Sequence, residues 1–298
     1  MKVFAADMTQ PLLGLSQADH GYLDNHYGAV IHNAANVNHV LDYASLVPEN
    51  VEPLFALLKF CEGRRKKILN FVSTLSACSA VDQNGDVLER GAIETPPIYI
   101  RNGYNLSKWV AERLLERAGE MGCFVNVFRP GNISFNSKTG VCQPHKNRLM
   151  LMLKGSLQLA AVPALDMTFD LMPVDFLAKL IAFQSSRYEP GAAVFNLHNP
   201  QPLSWVDYVA CFAAAGHAFD LVSIATWQAR LQDVDKDNAL FGVLGFYLNG
   251  FEEDIGDISR IHHANAAAAV ARMGDHYPAK NPELLARGVT YLQSIGFL

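Results

Sequence analysis

Three observations predict an α/β fold: a doubly wound parallel sheet accompanied by a smaller, mostly helical region. Short apolar runs alternate with amphipathic stretches through residues 1–135, the rhythm of strands joined by crossover helices. After Gly131 that rhythm breaks into a turn-rich stretch. From Pro202 onward helical spacing dominates.

In chain order, MKVFAADM (1–8) reads as a strand, GAVIHNAA (28–35) as a second and ILNFVSTLSA (68–77) as a third. Between the last two, Val51, Leu54, Leu57, Leu58 and Cys61 recur at helical spacing from about Glu49 to Glu62. GYNLSKWVAERLLERAGEMG (103–122) is a longer helix closed by Gly122, and CFVNVFRPGN (123–132) follows as a buried strand. Right-handed crossovers then wind the sheet.

The turn-rich stretch is NSKTGVCQPHKN (136–147). A helix follows with Leu149, Leu153 and Leu157 on one face, then a loop with Pro163. VDFLAKLIAF (174–183) reads as a helix and AAVFNLHN (192–199) as a strand. SWVDYVACFAAAG, TWQARLQ, ANAAAAVARMG and PELLARGVTYLQSIG read as helices, with no internal repeat or linker. The expected division is a sheet region, 1–135 and 174–200, and a helical region, 136–173 and 201–298.

Composition narrows the class. Of 298 residues, 50% are hydrophobic and 18% charged, which favours a well-buried globule over disorder. A net charge of -5 offers no footprint for nucleic acid or an anionic membrane surface. Cys61, Cys78, Cys123, Cys142 and Cys211 are scattered without a C-x-x-C pair, which reads as thiols in a reducing compartment and not as a zinc site. The start reaches Asp7 before any long apolar stretch, and no run approaches the roughly eighteen residues of a membrane span. The expectation is a soluble cytoplasmic enzyme.

The strongest chemical signal is Tyr104-Asn-Leu-Ser-Lys108. On a helix the two functional residues are four apart and share a face. An ammonium beside a phenol favours the phenolate and lowers its pKa, which suits proton exchange during carbonyl reduction. A surface helix with a chance Tyr and Lys is the plain alternative. Upstream, Ser73 and Thr74 end a predicted strand at its carboxyl side, where ligands bind in open α/β sheets. A hydroxyl there holds a carbonyl oxygen, or merely caps the turn. Asn33-Ala34-Ala35 ends the preceding strand with small side chains, which admit a cofactor or simply allow tight packing.

In order, V-I-H-N-A-A, F-V-S-T, G-Y-N-L-S-K and F-R-P-G resemble the extended short-chain dehydrogenase/reductase superfamily, whose fold is a Rossmann-like doubly wound sheet. The resemblance narrows with D-M-T-Q-P-L-L-G-L (7–15), H-N-A-A-N-V-N-H (32–39), Y-N-L-S-K-W-V-A-E (104–112), R-P-G-N-I-S (129–134), K-G-S-L-Q-L-A-A-V-P (154–163), N-P-Q-P-L-S-W (199–205) and the ending Y-L-Q-S-I-G-F-L. Together they are similar to the thioester reductase domains that terminate nonribosomal peptide synthetases and carboxylic acid reductases.

That resemblance implies a catalytic set of Thr74, Tyr104 and Lys108. It implies cofactor contacts from Asp7 near the adenine, Asn33, Ala34 and Ala35 along the dinucleotide, Ser73 and Tyr104, and Pro130 and Gly131 by the nicotinamide. Lys108 would also anchor the nicotinamide ribose. Asn50 falls where the superfamily has a helix asparagine that orders water, although Pro53 replaces the following family glycine. The implied cofactor is NADPH, with NADH open. The implied partner is an acyl- or peptidyl-carrier protein bearing a phosphopantetheine thioester, reduced to an aldehyde or onward to an alcohol.

One departure is large. The family opens with a strand, a G-x-x-G-x-x-G phosphate turn and a helix, and no such motif stands in this sequence. At about thirty residues per βαβ unit, two units are missing. Without that turn, the pyrophosphate loses amide donors and a favourable helix dipole. The expectation is an excised fragment, a mis-assigned start or a chain that no longer turns over. Two rival readings therefore stay open: another extended reductase or epimerase acting on a nucleotide sugar, and a non-catalytic interaction domain. His32, His39, His262 and His263 read as packing or loop residues, Arg64-Arg65-Lys66-Lys67 as a solvated basic run or a carrier contact, and Trp109, Trp205 and Trp227 as packing.

Overall fold

The computed structural model describes residues 2–38, 41–91, 102–248 and 258–298. Along the first half run α1 (Gln17–His26), β1 (Ala29–His32), α2 (Tyr43–Asn50), α3 (Pro53–Cys61), β2 (Ile68–Val72), α4 (Gly103–Glu120) and β3 (Phe124–Pro130). Then come β4 (Ile133–Ser134), α5 (Arg148–Gln158), β5 (Ala161–Pro163), β6 (Met172–Pro173), α6 (Val174–Gln184) and β7 (Val194–Leu197). The last are α7 (Trp205–Ala214), β8 (Asp220–Val222), α8 (Ile224–Arg230), α9 (Ala264–Arg272) and α10 (Pro282–Ser294).

Four of the strands make one parallel sheet in the order β1-β2-β3-β7. Ala29 lies opposite Ile68, Ile68 opposite Phe124 and Val127 opposite Val194. Period-two alternation turns Leu69, Phe71, Val125 and Val127 toward Leu54, Leu57 and Phe60 of α3 and Ala111 and Leu115 of α4. Each such side chain, once buried, stabilises the fold by about 1.5–3 kcal/mol. On the opposite face lie two fully buried amides, Asn70 and Asn126. Asn126 Nδ2 donates to Asn70 Oδ1 at 2.9 Å and to the Arg187 carbonyl at 2.8 Å. Asn70 Nδ2 donates to the Ser185 carbonyl at 2.9 Å, beyond the end of α6.

The contacts divide the chain into two compact units. The first comprises Met1–Gly131, Ala178–Leu197 and Arg260–Asp275; the second comprises Asn132–Leu177, His198–Ser259 and His276–Leu298. Residues 260–275, which the sequence pattern groups with the helical region, thus pack with the sheet: Asn265 Nδ2 of α9 donates to the Val194 carbonyl of β7 at 2.9 Å. Within the second unit Trp205 and Trp227 are fully buried, and their indoles donate to the Pro163 carbonyl and the Ser156 hydroxyl. Also in that unit, the buried Asp170 carboxylate accepts the backbone N–H groups of Asn132 and Asn199. Among the described residues no helix is long and apolar enough to cross a membrane.

Four expectations change. Residues 2–6 form no strand, and Val3 is exposed; an apolar run forms a strand only when a neighbour pairs with it. The helix expected over 49–62 is two helices, because Pro53 removes a backbone donor and opens α3 instead of continuing α2, which ends at Asn50. The third strand ends at Val72, since Thr74 accepts the Ser76 N–H and starts a short 3-10 turn at Leu75–Ala77. The basic run is not uniformly solvated: Lys67 is fully buried, its ammonium on Asp24 at 2.5 Å and on the Arg65 carbonyl at 2.6 Å.

Candidate active site

Because the strands are parallel, their carboxyl ends share one edge of the sheet. β1 leads there into Asn33, Ala34 and Ala35, β2 into Ser73 and Thr74, and β3 ends at Pro130 with Gly131 following. Gly131 is held by its N–H on the Leu197 carbonyl of β7 at 3.1 Å. Asn33 and Ala34 are exposed, and Ala35 is half-buried. His39 lies outside the described residues.

α4 brings the phenol and the ammonium to that edge. Asn102 caps it by accepting the Asn105 N–H at 2.8 Å. Gly103 then abuts the backbone of Leu41–Tyr43 so closely that any Cβ would collide with it, which lets α4 start against α2. Lys108 Nζ donates to the Val72 carbonyl at 2.8 Å and lies 4.6 Å from the Phe71 ring centroid and 5.9 Å from that of Tyr104. Burial lowers the Lys108 ammonium to about 8, opposed by the Glu112 carboxylate. The phenol moves opposite to the expectation of a lowered pKa: burial pushes Tyr104 up to about 12. Desolvation sets the direction here, so the phenol keeps its proton at neutral pH.

The two hydroxyls of the S-T pair have different surroundings. Ser73 is buried, and its Oγ donates to Glu112 Oε1. Thr74 is half-buried, and its Oγ1 accepts the Ser76 N–H at 3.3 Å, which does not use its O–H proton. Glu112 and its partner Arg129 were not among the residues singled out by sequence. The available signal was spacing: Glu112 continues the Tyr104, Lys108 row at a further four residues.

Asn50, the last residue of α2, is buried. It accepts the Asn36 N–H at 2.8 Å, donates to the Asn36 carbonyl at 3.1 Å and to Ser107 Oγ at 3.0 Å. It thereby ties the segment after β1 to α4. His32 is buried beside Phe71, and desolvation with the Lys108 charge pushes its pKa down to about 4. Asp7 is exposed, and Thr9 donates to it through both N–H and hydroxyl and holds the carboxyl below the usual range. Among the described residues no group of three or more His, Cys, Asp or Glu side chains is arranged to hold a metal.

Comparison with known proteins fits this geometry. Residues 1–181 match an NAD-binding family described as male sterility protein. The chain belongs to the male sterility protein family. Among curated relatives of this family member are isonitrile lipopeptide synthase of Streptomyces coeruleorubidus, 30% identical over 98% of the chain, and a linear gramicidin synthase polypeptide of Brevibacillus parabrevis, 29% identical over 98%. The chain spans 20% and 6% of their respective lengths. Among solved structures, the terminal R domain of the myxalamid PKS-NRPS biosynthetic pathway superposes with a TM-score of 0.84 at 26% identity, covering 99% of this chain and 75% of that one.

Proposed function

We propose that the chain catalyses reductive release: a thioester carried on the phosphopantetheine arm of an acyl- or peptidyl-carrier protein is reduced with NADPH to an aldehyde. The observation that supports this reading is the clasp of Lys108 on Val72, which holds the Tyr104–Lys108 face of α4 against the end of β2 that leads into Thr74. Likeness to a terminal R domain and to two synthases supports a carrier-bound substrate.

At its nicotinamide end the edge fits the cofactor, while no G-x-x-G-x-x-G turn stands in this sequence to receive the pyrophosphate. Exposed Asn33 and Ala34 leave the backbone approachable, Gly131 presents no side chain, and Lys108 is an ammonium whose bond to Val72 uses one of its three donors. A bound nicotinamide supplies the hydride to the thioester carbonyl carbon. The Thr74 O–H donates to the carbonyl oxygen and strengthens as charge gathers there, which is the form of binding that accelerates a reaction. Tyr104, protonated at neutral pH, hands its proton to that oxygen and gives a thiohemiacetal. Lys108 steadies the phenolate left behind. Collapse of the thiohemiacetal re-forms the C=O bond, breaks the C–S bond and returns the hydroxyl proton to the departing thiol.

The test is cofactor oxidation by the purified chain with an acyl-carrier thioester, an acyl-pantetheine thioester and a nucleotide sugar, each with NADPH and NADH. Oxidation with the thioesters and NADPH, with aldehyde formed, is expected. Oxidation with the nucleotide sugar alone overturns the reading.

A further inference from the structure

We propose that Glu112, paired with Arg129, is a positioning residue that locks together the three segments carrying the site: the β2 end at Thr74, the Tyr104–Lys108 face of α4, and the β3 end at Pro130–Gly131. What those segments do rests on the reductive-release reading; the tie itself does not. Glu112 lies one helical turn beyond Lys108 and two beyond Tyr104. Arg129 immediately precedes Pro130.

Both side chains are buried, Glu112 at 2% exposure and Arg129 at 0%. The guanidinium grips the carboxylate through Nε at 3.0 and 3.1 Å and Nη2 at 2.6 Å, while Nη1 reaches the Cys78 sulfur at 3.1 Å. The same carboxylate receives the Ser73 hydroxyl. One anion thus fastens α4, β3 and the residue before Thr74. A buried ion pair adds little net stability over apolar replacements, because desolvation offsets its attraction. Its effect here is geometric: the bidentate fork fixes angles as well as distances. Ser73 is therefore the anchor of the S-T pair, and Thr74 is the hydroxyl that meets substrate.

The experiment compares wild type with Ser73→Ala, Ser73→Thr and the double variant Glu112→Gln/Arg129→Met, which removes both members of the pair together. Backbone amide exchange is read without cofactor or substrate, alongside thermal melting and steady-state thioester reduction. In the folded double variant, exchange is expected to quicken about tenfold at 71–78, 103–110 and 127–131 together while α10 stays unchanged. In the same variant kcat should fall about tenfold or more with KM nearly constant, because misplacement of reacting groups weakens the reaction step and not ground-state binding. Ser73→Ala should lower kcat likewise without lowering the melting temperature, and Ser73→Thr should restore it. Unchanged exchange at the three segments, or a uniform rise that includes α10, overturns the proposal. If the double variant fails to fold, Ser73→Ala decides alone: wild-type kcat and wild-type exchange at 71–78 overturn it. Wild-type chain with the expected exchange pattern but no thioester reduction overturns the reductase reading and leaves the tie standing.

Discussion

Lys108 reaches across from α4 to place its ammonium 2.8 Å from the carbonyl oxygen of Val72, the last residue of β2. A helix side chain thereby closes the end of a strand and holds the Tyr104–Lys108 face of α4 against β2.

Tyr104→Phe should reduce thioester reduction by about a hundredfold or more while the fold and substrate affinity stay near wild type, since the change removes one proton donor and little volume. Steady-state rates beside a thermal melt check this. Retention of most of the wild-type rate removes Tyr104 from the proton-donor role.

Thr74→Val should cost kcat about a hundredfold and KM little, as for other losses of a donor to a developing oxyanion. A kcat that survives this substitution, with KM raised instead, would mean that the hydroxyl binds the ground state.

His32 gives stability a defined acid limb. Its folded pKa is about 4 against an ordinary 6.5, so between those values the unfolded chain binds the proton and the folded chain does not. Stability is therefore full above about pH 6.5 and declines as pH falls toward 4, by an amount of order 3 kcal/mol. Melting temperatures from pH 7 to 4.5 should fall less steeply in His32→Gln than in wild type; equal slopes would place the acid sensitivity elsewhere.

Lys67 and Arg64 should behave differently although they belong to one basic run. Lys67→Met leaves the Asp24 carboxylate without its cation and should cost about 3 kcal/mol, whereas exposed Arg64→Ala should change stability by less than about 0.5 kcal/mol. Denaturant unfolding of the two variants separates them.

The parallel sheet and α4 were legible because their signals are local: period, cap and the four-residue spacing of Tyr104 and Lys108. Elements whose existence depends on neighbours were not. α1 shows no apolar stripe, and only Ser16 and Asp19, which cap it, announce its start. MKVFAADM looks like a strand by composition, yet residues 2–6 form none. Within the site, Tyr104, Lys108 and Thr74 stand out by chemistry, while Glu112 and Arg129 resemble ordinary charged residues until burial shows that they face each other. The direction of the Tyr104 shift was illegible for the same reason, since desolvation is a property of the packed chain.

The Asn70–Asn126 pair guards against misassembly during folding. Apolar parallel strands such as β2 and β3 have many nearly equivalent ways to pair, because one valine fits a neighbour about as well as another. A slip of one strand by one residue would turn its amide onto the face packed by Leu54, Leu57 and Leu115 and take the partner amide's bond away, at about 1–3 kcal/mol for each unsatisfied group. Only the native alignment places Asn126 against Asn70 and both against the Ser185 and Arg187 carbonyls. Two polar residues in the sheet thus penalise alignments that an all-apolar pairing would tolerate.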